Sequence, residues 1–206
     1  TGGFGFYNDS MAGFSPYIQI VVTVFMLLFS INFNSYFFLL NRKFREAFNT
    51  EVVVFLIIVA AAITILTFDN IDLYPASGDA LRHSAFTVAS LISTTGFSTV
   101  DFNVWSELSR TIIIIIMFIG ACAGSTGGGI KVSRIIILFK SLGKELRVMV
   151  HPKQIKKIKI DKRPVEHETV RSVCTYMVAF IVVFVISLVV ISFENHDLIT
   201  NFILFR

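Results

Sequence analysis

The chain has 206 residues; 54% are hydrophobic, 22 are Phe and 16% are charged. A soluble domain of that length buries a core but cannot cover so much apolar surface, so the composition excludes a water-soluble globular protein and indicates an integral membrane protein. The net charge of +4 is small, and its placement along the chain carries more information than its size.

The chain opens inside a motif, Thr1-Gly2-Gly3-Phe4, without an initiator Met or a signal-peptide pattern, and is expected to be a piece of a longer protein. Tyr17 to Leu40 is uncharged and long enough, at about 1.5 Å per residue, to span a ~30 Å hydrocarbon layer. It ends at "NRKFRE", Asn41 to Glu46. Val52 to Phe68 is a second uncharged span. An acidic loop with Asp69, Asp72 and Asp79 follows, broken by Pro75 and Gly78. Ala80 to Ile92 has helical periodicity but reaches only about half-way through a bilayer. Then come the turn "STTGFSTVDF", Ser93 to Phe102, and a polar stretch to Arg110. Thr111 to Ile119 is intensely apolar and runs into "GACAGSTGGG", Gly120 to Gly129. Ile130 to Phe139 is apolar again, Lys140 to Arg171 is basic and polar, and Val173 to Phe193 is a last clean span.

Lys and Arg set the orientation. Arg42, Lys43 and Arg45 share one loop and twelve more basic residues, Lys131 to Arg171, share another. Both loops are expected on the cytoplasmic side. Phe68 and Thr111 then lie on the same outer face, so the residues between them enter and leave the membrane from one side. That describes a re-entrant pore loop, a half-helix down and an extended stretch back up; the alternative is an ordinary extracellular excursion.

Irregular backbone is tolerated at membrane depth only inside protein or a water-filled cavity. Carbonyls along such a stretch can replace the hydration shell of a monovalent cation. Gly96 gives the backbone the freedom this needs, Thr94, Thr95 and Ser98 supply hydroxyls, and Phe97 wedges the stretch against neighbouring helices. One such stretch cannot enclose an ion. The turn is repeated, however: Thr1-Gly2-Gly3-Phe4 and Thr94-Thr95-Gly96-Phe97 align at an offset of 93 residues. An acid, Asp9 or Asp101, and a long apolar segment follow each copy, as in an internal repeat. The repeating unit is span, pore loop, span. The fold class expected is an all-α integral membrane protein built from such units.

Gly124, Gly127, Gly128 and Gly129 interrupt the helix that leaves the second turn. Each Gly costs a helix about 1 kcal/mol relative to Ala. The cluster reads either as a kink for close packing or as a mobile intramembrane loop. It fits no phosphate-binding fingerprint, because Ile130 separates Gly129 from Lys131. Lys131 near the membrane interior is costly, and must snorkel or face protein or a pore. Cys122 and Cys174 read as small buried residues, and His83, His151, His167 and His196 have no ligand-spaced partners. No catalytic residues and no enzyme activity are expected. The charge of Lys140 to Arg163 is explained by topology, with contact to anionic membrane lipid, and gives no reason to invoke nucleic acid.

With these pieces in series, the sequence resembles the Trk/Ktr superfamily of bacterial potassium uptake proteins, in particular the TrkH type. "STTGFSTVDFNVWS", "GACAGSTGGGIKVSR" and "HPK" at His151 to Lys153 carry the likeness, which covers nearly the whole chain. It implies four span–pore–span units around one pore, with one filter glycine in each loop. Gly96 would be the filter glycine of the third unit and Gly3 that of the second. The likeness implies a K+ filter of Thr1, Gly2, Gly3 and Phe4 with Ser93, Thr94, Thr95, Gly96 and Phe97. It implies a gate loop of Gly120, Gly124, Ser125, Thr126, Gly127, Gly128, Gly129 and Lys131. Residues 1–46 would end the second unit, 47–140 form the third, 141–171 be a basic cytoplasmic loop and 172–206 begin the fourth. The first unit and the fourth filter would lie outside this chain. The likeness also implies a multi-pass protein of the bacterial cell membrane, K+ as cargo with no cofactor, a homodimer, and a cytoplasmic nucleotide-binding regulatory subunit of the TrkA type. The rival readings are a secondary transporter with a discontinuous helix at its binding site and a membrane assembly protein without transport.

Overall fold

The computed structural model describes Gly3, Gly5, Tyr7 and residues 9–151, 158–161 and 163–193. The chain divides into two compact units, Thr1–Ser133 and Arg134–Arg206.

In the first unit, α1 (Pro16–Phe29) and α2 (Phe33–Leu40) replace the single span expected over Tyr17 to Leu40: the two meet at a 91° bend. The cause is local. Ser30 closes α1 by turning its N–H to Leu27 and its hydroxyl to Met26 O. Asn32 then caps α2 by accepting from Asn34 N–H at 2.8 Å. Tyr36 braces the corner, its hydroxyl donating to Leu28 O at 2.5 Å. A short α3 (Phe44–Ala47) leads to α4 (Thr50–Asp69), which is capped by Asn49 and is long and apolar enough to cross a membrane.

After a 3-10 turn at Ile71–Leu73 comes α5 (Ser77–Ile92), three residues longer at its start than the half-helix expected. Its 16 residues extend roughly 24 Å, short of a full crossing. α5 packs against α1, α4 and α6 (Glu107–Ile119). Every residue from Phe86 to Ile92 is buried, including Thr87 and Ser90. A helix enclosed on all sides at that depth sits in protein, not against lipid. Phe55 and Leu66 of α4 and Ile113 of α6 complete the core around it; each such side chain contributes about 1.5–3 kcal/mol by burial. Large apolar side chains such as Ile20, Val24, Ile57 and Ile65 face outward, as a lipid-facing surface requires.

In the second unit, α7 (Val132–Val150) has its first two residues in unit one and runs well past the apolar stretch that ended at Phe139. Leu142, Leu146 and Met149 recur at helical spacing among the charges, which is the pattern of an amphipathic helix and not of a loop. A two-residue hairpin, β1 (Lys159–Ile160) with β2 (Arg163–Pro164), is a small exception to an all-α fold. α8 (His167–Ser192) is the second helix long and apolar enough to cross a membrane. The basic segment expected as a loop over 141–171 is thus helical at both ends; residues 152–157, with three of its Lys, lie outside the described residues. Within this unit Arg134 stacks its guanidinium on Tyr176, 3.9 Å from the ring centre.

Candidate functional site: the paired turns and the glycine loop

α5 ends in a series of tightening bonds. Thr94 N–H reaches Leu91 O, and Thr95 N–H reaches Ser90 O at 2.9 Å. Thr94 and Gly96 both take positive φ, +57° and +82°. The backbone therefore zigzags between left-handed and ordinary conformations, which costs a Thr far more than a Gly.

The carbonyls of this stretch sort into two sets. Ser93 O accepts from the Thr94 hydroxyl (2.7 Å), Thr95 O from Gly3 N–H (2.9 Å) and Phe97 O from the Ser90 hydroxyl (2.6 Å). Among the described residues, Thr94 O and Gly96 O accept no hydrogen bond. Phe97 packs against the buried cluster of Met26, Phe86 and Ala89.

The repeated turn comes into contact with this one. Besides the Gly3 to Thr95 bond, a Cβ built on Gly3 would lie 3.1 Å from Gly96 O. The contact continues beyond the glycines: Met11 N–H donates to Ser98 O (2.9 Å), and Ser98 N–H to the Ser10 hydroxyl (3.1 Å). Asp9 and Asp101, the acids that follow the two turns, line one open cleft of about 370 Å³ with Ser98, Thr99 and Asn103. Of the first turn, Thr1, Gly2 and Phe4 lie outside the described residues.

The glycine loop begins where α6 stops at Gly120 and ends at Lys131. It folds back on its own base. Ile130 N–H and Lys131 N–H donate to Phe118 O and Ile119 O, and Val132 N–H to Ala121 O. The two ends cross so closely that a Cβ on Gly120 would lie 2.5 Å from Gly128 O and 2.9 Å from Gly129 Cα. Backbone meets backbone there, and only glycine fits. The Lys131 ammonium donates to Gly127 O, so this cation turns inward onto the loop.

Three partners hold the loop. Gly128 N–H donates to the Thr94 hydroxyl at 2.8 Å, and a Cβ on Gly127 would stand 3.3 Å from Ser93 O, so the loop abuts the end of α5 and its turn. The helix break is the second partner. Cys122 N–H donates to Ser30 O (3.0 Å), Thr126 N–H to Phe29 O (3.3 Å), and Phe33 N–H to Gly124 O (3.2 Å). The carbonyls freed by the 91° bend are satisfied by the amides freed by the loop. Glu51, in the first turn of α4, is the third, accepting from Ala123 N–H (2.6 Å) and Ser133 N–H (3.2 Å).

The sequence singled out neither Ser30 nor Asn32, and not Glu51. "SINFNS" is a polar interruption of Tyr17 to Leu40, and Glu51 is an acid just inside an apolar run; those were the available signals.

Known proteins share this fold. The family model described as TrkH, cation transport protein, matches residues 1–206. The Trk system potassium uptake protein TrkH of Salmonella typhimurium is 32% identical over 95% of this chain. The Trk system potassium uptake protein TrkG of Escherichia coli is 28% identical over 98% of it. In both cases the chain spans 42% of the relative's length. The crystal structure of the potassium transporter TrkH from Vibrio parahaemolyticus superposes with a TM-score of 0.87 at 29% identity, covering 98% of this chain and 44% of that one.

Proposed function

This chain belongs to the TrkH cation transport family, and from that premise we propose that it forms two adjacent quadrants of a potassium uptake pore. Thr94 O and Gly96 O offer themselves to a dehydrated K+ from one quadrant, and the Gly3 turn contributes the next. The observation that carries this reading is the backbone contact between Gly3 and Gly96, two copies of one motif 93 residues apart in sequence. Contact between repeats is what a ring of filter segments requires. The carbonyl end of α5 points its negative dipole toward the same place, which favours a cation. Asp9 and Asp101 in the neighbouring cleft raise the local cation concentration. K+ is cargo here, and the chain itself calls for no cofactor.

The glycine loop is the gate in this reading. It sits against Ser93 and Thr94, at the end of the filter segment that joins α5. The basic segments around Arg42–Arg45 and Lys140–Arg171 face the cytoplasm of a bacterial cell, against anionic lipid and a nucleotide-binding regulatory subunit of the TrkA type, in a homodimer. A secondary transporter with alternating access is favoured by one observation, the meeting of two broken helices at Ser30 and Cys122. Flux faster than a rocking carrier sustains separates the two. The test of the main reading is Gly96→Ser in the complete reading frame that carries this sequence. Growth at limiting K+ should fail and Rb+ uptake should lose its preference over Na+; unchanged uptake and preference would refute the filter assignment.

A further inference from the structure

The glycine loop has two ends, and one carboxylate holds both. Glu51 Oε1 accepts from Ala123 N–H at 2.6 Å, near the start of the loop, and from Ser133 N–H at 3.2 Å, just past its exit. These donors lie 72 and 82 residues away in sequence. Ser133 is in the first turn of α7, where a helix has no acceptor of its own for its N–H groups. A carboxylate there meets the positive end of that helix as well. Bonds to a charged acceptor are roughly twice as strong as neutral ones. The loop's bonds to Thr94, Phe29, Ser30 and Phe33 are neutral, and the Lys131 ammonium adds a charged bond within the loop, to Gly127 O.

We infer that Glu51 is the positioning residue that keeps the glycine loop seated against the filter, and that losing its carboxylate releases the gate. The inference rests on the loop being a gate. Glu51 touches no ion in this scheme; it acts through Ala123 and Ser133. Unseating the loop also uncovers Cys122, whose side chain is fully buried and whose N–H is tied to Ser30 O. That native thiol is a reporter of loop position independent of transport.

The experiment compares the parent with Glu51→Ala and Glu51→Gln, in the complete reading frame, purified and reconstituted into vesicles. Cys122 modification by a small methanethiosulfonate is timed by peptide mass spectrometry, and Rb+ flux and Rb+/Na+ preference are measured on the same samples. Glu51→Ala is expected to speed Cys122 modification about tenfold and to raise Rb+ flux, with the ion preference unchanged because the filter is untouched. Glu51→Gln keeps an oxygen acceptor without charge and is expected to give about a threefold rise. If Glu51→Ala does not accumulate as folded protein, Glu51→Gln decides, and parental modification and flux in it overturn the inference. Parental modification and flux in Glu51→Ala also overturn it, while a conducting parent leaves the pore reading standing. Faster modification with unchanged flux overturns it in a different way, because the loop then moves without gating. A fall in ion preference would place Glu51 with the filter and overturn it as well.

Discussion

Replacing Gly120 with Ala isolates what the glycine loop demands of its backbone. Gly120 has φ +70° and ψ −165°, a region essentially closed to other residues and worth about 1–3 kcal/mol of strain for Ala. The added methyl would lie 2.5 Å from Gly128 O and 2.9 Å from Gly129 Cα. Both obstacles are main chain, so no rotamer change relieves them, and shifting the strand adds about 1–3 kcal/mol. The sum is roughly 2–6 kcal/mol, which lowers a melting temperature by on the order of 10 °C in a chain of this size. Gly143→Ala is the control. A Cβ there meets nothing within 4 Å, inside α7, and the change should stabilise by about 1 kcal/mol through helix propensity. Both variants are melted in detergent and followed by the loss of the monodisperse chromatographic peak. If Gly120→Ala melts within about 1 °C of the parent, the backbone crossing of Gly120 with Gly128 and Gly129 is refuted.

Gly3→Ala places a methyl 3.1 Å from Gly96 O at a φ of +78°; it should shift that carbonyl and cut Rb+/Na+ preference about tenfold in competition uptake, and intact preference would argue against Gly96 O as an ion ligand. Thr94→Val removes the hydroxyl that accepts from Gly128 N–H and should cost about 1–3 kcal/mol of thermal stability. Thr94→Ser keeps that acceptor and should recover most of the loss; equal melting of the two variants would show that the bond is not made.

The sequence disclosed what apolar length and glycine spacing encode. α4 and α8 stand out because each contains a long run without a charge, Val52 to Phe68 and Val173 to Phe193, and α5 stands out as too short to cross. The loop from Gly120 to Lys131 is visible because helix formers stop there. The bend at Ser30 is not, because Ser and Asn are uncharged and a straight helix through them has no local penalty large enough to read. What makes the bend is tertiary: amides of Cys122 and Thr126, some ninety residues later, take its carbonyls. The end of α7 is hidden for a different reason: its charges give a loop signal, whereas the period of Leu142, Leu146 and Met149 encodes a helix. The repeated turn was legible as a motif, but the contact of Gly3 with Gly96 O belongs to packing alone.

The interlock of the two helix breaks bears on the order in which the protein is made. Phe29 and Ser30 leave the ribosome long before Cys122 and Thr126 exist to satisfy them. Over that interval an elbow at Ser30 would strand carbonyls in hydrocarbon, at several kcal/mol each. The nascent segment is therefore expected to insert as one straight rod from Tyr17 to Leu40 and to fold at Ser30 only when the later loop arrives. Crosslinks across the corner from Leu28 to Tyr36 should be absent in ribosome-stalled chains ending before Cys122 and present once Ser133 has emerged; finding them in the shorter chains would show that the elbow forms unaided.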